Sequence, residues 1–364
     1  ILLLSSFINA QITSEPPAKP QTNIEDALKY QRTVNSMPGK YPGKVIQVDN
    51  DNSVLESKII YNEVYEMISK GMLALTGTTS LKEAWRQFVS PSERIGLKVN
   101  PVAGAQLSTS VEVTQAIVKQ LEELGVPRNN IIIWDRREEQ LFEAGFNSEN
   151  FPDIKIIGTE RPENGSMYDS NGKLYSLKMI DTSWYYWADV EGKYDSATIP
   201  YMVNEGKYSY FTKIVTEMVD KIINVPILKN AGASVTLCLK NLSYGSVTNT
   251  GRLHQKLWAE TTAEVCAFPP LRDKVVLNIV DGIKGCFNGG PGANPQFFCE
   301  YKTILIGSDP VAVDRIGYDI VIKERIKRGV QKEDSPRGRV FMELAQNLNL
   351  GIADIEKILL IKIN

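Results

Sequence analysis

Short apolar runs alternate with longer stretches of helical spacing along most of this chain. Lys44 to Asp49 (KVIQVD) alternates as a half-buried strand, Arg94 to Val99 (RIGLKV) is a second run, and Ile131 to Trp134 (IIIW) is a third, ending in Asp135. Between the second and third, Val113, Ile117, Leu121 and Leu124 recur at i, i+4, i+8 and i+11, one face of a helix that Gly125 and Pro127 stop. Helical spacing also runs from Val54 to Leu75 through Val64 and Ile68. The pattern resumes at Ile214 to Val219. Further strands are predicted at Ile222 to Val225, Val275 to Val280, Thr303 to Ile306 and Ile358 to Ile363, with helices over Val311 to Ile326 and Arg339 to Leu348. Such alternation predicts an α/β fold, with a mainly parallel sheet and helices on both faces.

Two segments break the pattern. From Thr159 to Tyr210 short strand-like pieces are punctuated by Gly, Asn, Asp and Tyr, with Trp184, Tyr185, Tyr186 and Trp187 clustered, which predicts an inserted β-rich subdomain. Residues 1–23 form the other: ILLLSSFINA before Gln11 resembles the end of a secretory signal with Ala10 at the cleavage point, and Thr13 to Thr22 reads as a solvated linker. Export to the periplasm or beyond is the expectation, a short buried strand in a cytoplasmic protein the alternative. Residues 24–364 are then the α/β domain.

The composition narrows the function classes. With 41 Lys+Arg against 43 Asp+Glu there is no basic excess for a phosphate backbone, so nucleic acid is not an expected partner. No apolar run approaches the roughly 20 residues that span a bilayer. Four cysteines pair in three ways: Cys286 and Cys299 flank a Gly/Pro-rich loop they could close, and Cys238 and Cys266 read equally as buried thiols. None has the two-residue spacing of a zinc or iron–sulfur site.

Three segments carry most of the specificity: Ile222 to Gly245, Asp281 to Gly292 and Ser308 to Asp314. They contain Asn-x-Pro-x-x-Lys, Thr-Leu-x-x-Lys-Asn, Asp-Gly-Ile-x-Gly and Asp-Pro-x-Ala-x-Asp, and in this the chain resembles the family termed domain of unknown function 362. The resemblance covers most of Lys44 to Gly329. It departs at Asn230, where the family commonly has a His after the Lys. Some relatives sit beside ferredoxin-like modules; this chain has no such cysteine run, so a redox or cofactor-assembly role implied by the resemblance requires a separate iron–sulfur protein.

The candidate chemistry centres on lysine and asparagine. Lys98 with Asn100, Lys229 with Asn230 and Lys240 with Asn241 each follow an apolar run, and in an open parallel sheet the carboxyl ends of strands line the ligand crevice. Three strands delivering cations there predict a small anionic substrate or a phosphate-bearing cofactor; the bland reading has each Lys snorkelling to solvent. His254, the only histidine, is the natural proton-transfer group, and Arg252 an anion clamp. Asp281 opens a glycine loop containing Gly285 and Gly290, where the carboxylate could bind a metal or hydroxyl and the backbone a ligand. The loop spacing is neither Walker A nor a dinucleotide fingerprint, so no cofactor is identified. Asp309 and Asp314 are expected to be structural, with Ser308 or Asp309 capping a helix that has Pro310 in its first turn. The expected function is an exported anion-binding protein acting as an enzyme, with Lys240 and His254 catalytic; the alternative is a non-catalytic binder.

Overall fold

The structure is a computed structural model that describes residues 19–162, 165–192, 202–203, 206–232, 234–330 and 338–364. The secretory-signal reading of residues 1–10 lies outside the described residues. A central sheet of eleven strands runs in the order Leu359–Ile363, Lys44–Asp49, Thr303–Gly307, Val275–Cys286, Lys221–Val225, Ile95–Val99, Ile131–Arg137 and Lys155–Glu160, with three short strands beside this path. Along it only Thr303–Gly307 is antiparallel to its neighbours; every other adjacent pair is parallel. The predicted α/β class therefore holds.

Strand alternation sorts side chains onto two cores. Ile95, Leu97 and Val99 join the helices Tyr61–Thr76 and Val111–Leu124 on one face. Trp134 and Ile222 join the helices Cys238–Ser246, Trp258–Glu264 and Pro310–Lys327 on the other. The expected helix from Val54 is shorter, because a two-stranded ladder, Val54–Leu55 with Lys58–Ile59, precedes Tyr61. Glu56 and Ser57 turn that ladder with φ of 47° and 62°, a left-handed conformation that a helix does not contain. Past Glu160 the chain leaves the sheet, and Ile180–Trp187 pairs antiparallel with Tyr208–Thr212 as a separate hairpin. Tyr185 packs on Tyr208 with ring centroids 5.1 Å apart, so part of the aromatic cluster serves the hairpin's own packing. Among the described residues no helix is long and apolar enough to cross a membrane.

Two buried carboxylates fix helix starts on the second face. Asp309 caps its own helix, accepting from Val311 and Ala312 N–H at 3.0 and 2.9 Å, and also accepts from the backbone of Gly43 and Ile352. Asp314, inside that helix, reaches a different one: it accepts from Cys238 N–H at 2.6 Å and Leu239 N–H at 3.1 Å, the first residues of Cys238–Ser246. Burial pushes the Asp314 carboxyl up to about 7 despite those donors. Its folded pKa thus lies above the ordinary 3.8, so this carboxyl's contribution to stability falls as pH rises from about 4 to about 7. Asp314→Asn should be destabilised relative to the parent, and the gap should narrow across that window, as urea unfolding at pH 5 and pH 8 will measure.

Candidate functional site

A row of polar side chains crosses the sheet beneath the helix Cys238–Ser246. Adjacent strands bring Lys98, Asn224 and Asn278 into register, with Trp134 and Gly307 at the two ends. Asn241 from the helix completes the row: its Nδ2 donates to Asn224 Oδ1 at 2.8 Å, and its Oδ1 accepts from Lys98 Nζ at 2.9 Å and Asn100 Nδ2 at 3.0 Å. Asn224 donates on to Asn278 Oδ1 at 2.9 Å, and Asn278 to the carbonyls of Gly307 and Ser308. Lys98, 0% exposed, is ion-paired with Asp135 of the neighbouring strand Ile131–Arg137. It is therefore a neutralised structural cation, which corrects its expected role as a ligand-binding one. Asn241 and Gly245, four residues apart on one helical face, both meet Lys98; a Cβ at Gly245 would overlap the lysine's Cε and Nζ.

The next face of the same helix looks into a cavity of about 160 Å³ lined by Asn100, Lys229, Thr236, Lys240, Tyr244 and His254, among others. Lys240 comes from a helix rather than the third strand predicted. Its ammonium lies 5.6 Å from the Tyr244 ring centroid and 5.9 Å from that of Trp258, and no carboxylate pairs with it among the described residues. Burial alone pulls its pKa down to about 8. Lys229 enters from the strand Ile227–Asn230 and donates to the carbonyls of Val102 at 2.9 Å and Leu107 at 3.4 Å, again without an ion pair among the described residues. Burial, then the nearby Lys240, bring it to about 7. His254 packs on Tyr244 with centroids 4.5 Å apart, and its Nδ1 lies 3.0 Å from the Thr250 carbonyl, so Nδ1 carries the hydrogen and Nε2 the lone pair. Burial and Lys240 push its pKa down to about 4, making it a neutral imidazole at pH 7. Two buried wall atoms, Asn100 Oδ1 and Thr236 Oγ1, have no hydrogen-bond partner among the described residues. Each such atom costs about 1–3 kcal/mol unless something enters to meet it.

A family model described as domain of unknown function 362 matches residues 95–319, more than half of the chain. The chain belongs to that family. No curated protein matches it. Among solved structures it is similar to the crystal structure of a protein from Thermotoga maritima, a structural-genomics target, at 8% identity and a TM-score of 0.35, over 75% of this chain and 60% of that one. The chain thus spans less than two thirds of that protein's length.

Seen on the fold, the family's motif residues divide between the cavity and its supports. Asn-x-Pro-x-x-Lys places Asn224 in the polar row and Lys229 in the cavity; Thr-Leu-x-x-Lys-Asn places Thr236 and Lys240 in the cavity and Asn241 in the row. Asp-Gly-Ile-x-Gly does neither. Asp281 accepts from Ser110 N–H at 2.8 Å, from the Ser110 hydroxyl and from Ile283 N–H, holding the start of the helix Val111–Leu124. Its carboxylate is spent there, and burial raises its pKa, so the expected metal or hydroxyl contact is corrected to a helix anchor. Among the described residues no group of three His, Cys, Asp or Glu could hold a metal ion. Gly285 and Gly290 open room for protein rather than ligand, since a Cβ would overlap the Leu228 and Asn230 carbonyl oxygens respectively. Asn230 Nδ2 turns inward to the Ser234 carbonyl, closing the short ladder Ile227–Asn230 with Val235–Thr236.

Arg252 is likewise redirected. Its guanidinium donates to the carbonyls of Ala188, Val190 and Lys207 and to Ser209 Oγ, stapling the inserted hairpin to the domain instead of clamping an anion. It borders a second cavity of about 620 Å³, which shares Arg136, Thr250 and His254 with the first. All four cysteines are buried free thiols. The ladder sets Gly285 opposite Cys299 and Cys286 opposite Phe298, so the two thiols that flank the loop do not face each other. Sequence reasoning passed over Asn224, Asn278 and Asp135; the signal available was a polar residue inside each of two apolar strands and at the end of a third.

Removing Lys98 strands Asp135 in the interior, so Lys98→Met should lose about 3–5 kcal/mol of stability. Lys98→Met combined with Asp135→Asn should recover part of it, which a double-mutant unfolding cycle will measure.

Proposed function

We propose that this protein binds a small anion between the strand Ile227–Asn230 and the helix Cys238–Ser246, and acts on it as an enzyme after export. One observation carries the reading: two buried lysines, Lys229 and Lys240, share a small cavity, and neither is ion-paired to a carboxylate among the described residues. Buried cations are ordinarily paired, because desolvation of an unpaired one is costly. An anion entering the cavity supplies the missing charge. Thr236 offers it a hydroxyl donor, and Asn100 Oδ1 an acceptor for a protonated part of the same molecule.

Size limits the ligand. A cavity of about 160 Å³ suits a few heavy atoms, since an engineered cavity of about 150 Å³ holds benzene. A small carboxylate or a single phosphate group fits that description, and a larger phosphate-bearing molecule would have to extend past Arg136, Thr250 and His254 into the outer cavity.

Calorimetric titration with acetate, oxalate, pyruvate and inorganic phosphate should find a binder. Lys240→Met should then weaken it by about 1–3 kcal/mol, roughly 5- to 150-fold, while leaving the anion-free protein folded. Affinity should fall as pH rises through about 7 to 8, because the free lysines lose their protons there. The same depressed values mean that the anion-free fold gains stability as pH rises from about 7 toward 10.5, so added anion should raise Tm most at low pH. Failure of every anion to bind, or equal affinity in the parent and in Lys229→Met and Lys240→Met, would refute the reading. For export, protein made with its own leader should begin at Gln11 on amino-terminal sequencing.

A further inference from the structure

We propose that Lys229 is a covalent site, its ε-amine condensing with the carbonyl carbon of a small oxo-acid while Lys240 pairs with that molecule's carboxylate. The assignment rests on the anion reading above and adds a substrate class and a division of labour between the two lysines. Geometry separates them. Lys229 Nζ is tethered by two N–H bonds, to the Val102 and Leu107 carbonyls. With Cε as its third substituent, the fourth tetrahedral position holds a proton in the ammonium and the lone pair in the amine. No carboxylate among the described residues is ion-paired to it to keep that proton in place. Lys240 instead lies against the rings of Tyr244 and Trp258, whose faces favour its charged form.

The surroundings point the same way. A lysine becomes a nucleophile when it is desolvated or set beside another cation. Lys229 is subject to both. The titratable groups acting on it are Lys240 and Lys98, which disfavour its charge, and Cys286 and Asp135, which favour it; with burial the largest effect, the balance leaves it near pH 7. Thr236 is paired directly with Lys229 across the antiparallel ladder, so the two side chains leave the same face; its hydroxyl, with no partner among the described residues, belongs to a residue lining the same cavity and is the donor assigned to the carbonyl oxygen. His254, with its lone pair on Nε2, lines the same cavity as a proton relay.

The step balances without a further reagent. The amine nitrogen adds to the carbonyl carbon and one amine hydrogen passes to the oxygen, giving a carbinolamine. The second amine hydrogen then leaves with that hydroxyl as water, and the nitrogen lone pair closes the C=N bond. Uptake of one proton from solvent gives the iminium form, which can withdraw electrons from the neighbouring carbon.

Incubation of the full chain with glyoxylate or pyruvate and borohydride tests this, because hydride converts C=N to a stable secondary amine. Intact mass should show one carboxyalkyl group, and peptide mapping should place it on Lys229. Oxalate should compete with the trapping and form no adduct. In the parent, trapping at saturating glyoxylate should be half-maximal near pH 7. In Lys240→Met that midpoint should move upward, since the neighbouring cation is gone. Lys229→Met should abolish the adduct; if that variant does not fold, the parent's peptide map decides alone. An adduct on Lys240, adducts scattered over surface lysines, or no adduct despite calorimetric oxalate binding would each overturn the covalent role and leave anion binding standing. Loss of all anion binding would overturn both.

Discussion

The buried polar row from Lys98 through Asn241 and Asn224 to Asn278 is the constraint on which the rest of this fold's candidate site depends. A polar group taken from water without a partner costs several times what a formed hydrogen bond contributes, so a row of this kind tolerates one arrangement of its members. Asn241 satisfies side chains from two strands at a single helical position, Lys98 and Asn100 at the end of one and Asn224 from the other. The helix Cys238–Ser246 is thereby held at one rotation and one height above the sheet. Gly245 lets it settle onto the Lys98–Asp135 pair, and Asp314 holds its first turn from another helix.

Holding that helix determines where Lys240 goes. Residues 240 and 241 are about 100° apart around a helix axis, so with Asn241 committed to the row, Lys240 must project to the side, over the Tyr244 and Trp258 rings and into the cavity. Lys229 arrives by a separate route, from a short strand paired with both Val275–Cys286 and Val235–Thr236. Two cations brought together by independent elements, in a pocket where Asn100 Oδ1 and Thr236 Oγ1 have no hydrogen-bond partner among the described residues, are a local conflict. Such conflicts concentrate where ligands act.

Several residues that looked alike as sequence have different fates here. Lys98, Lys229 and Lys240 share one pattern, an apolar run followed by Lys and Asn, yet Lys98 is neutralised by Asp135 and the other two have no such carboxylate among the described residues. Nothing local distinguishes them, because the deciding carboxylate stands on a neighbouring strand. Asp281 and the glycines after it suggested a ligand loop, whereas the carboxylate is consumed by a helix start and the glycines by close backbone approach. Arg252 suggested a clamp, but the carbonyls that occupy it come from the inserted hairpin, more than forty positions away.

Periodicity by itself determined the α/β class, seven of the eight strands along the sheet path and the helices around Val111–Leu124 and Pro310–Lys327, because period two and period 3.6 express which face of each element leaves water; it did not mark the strand Lys155–Glu160 or the helix Cys238–Ser246. The motifs singled out Lys229, Lys240 and Asn241 as candidates for one region. Which lysine is a support and which lines the cavity, which helix Asp314 caps, and whether His254 is charged were decided only by the tertiary structure. Each depends on a partner or on a depth of burial set by elements distant in the chain, and charge, desolvation and hydrogen bonding act through space rather than along the sequence.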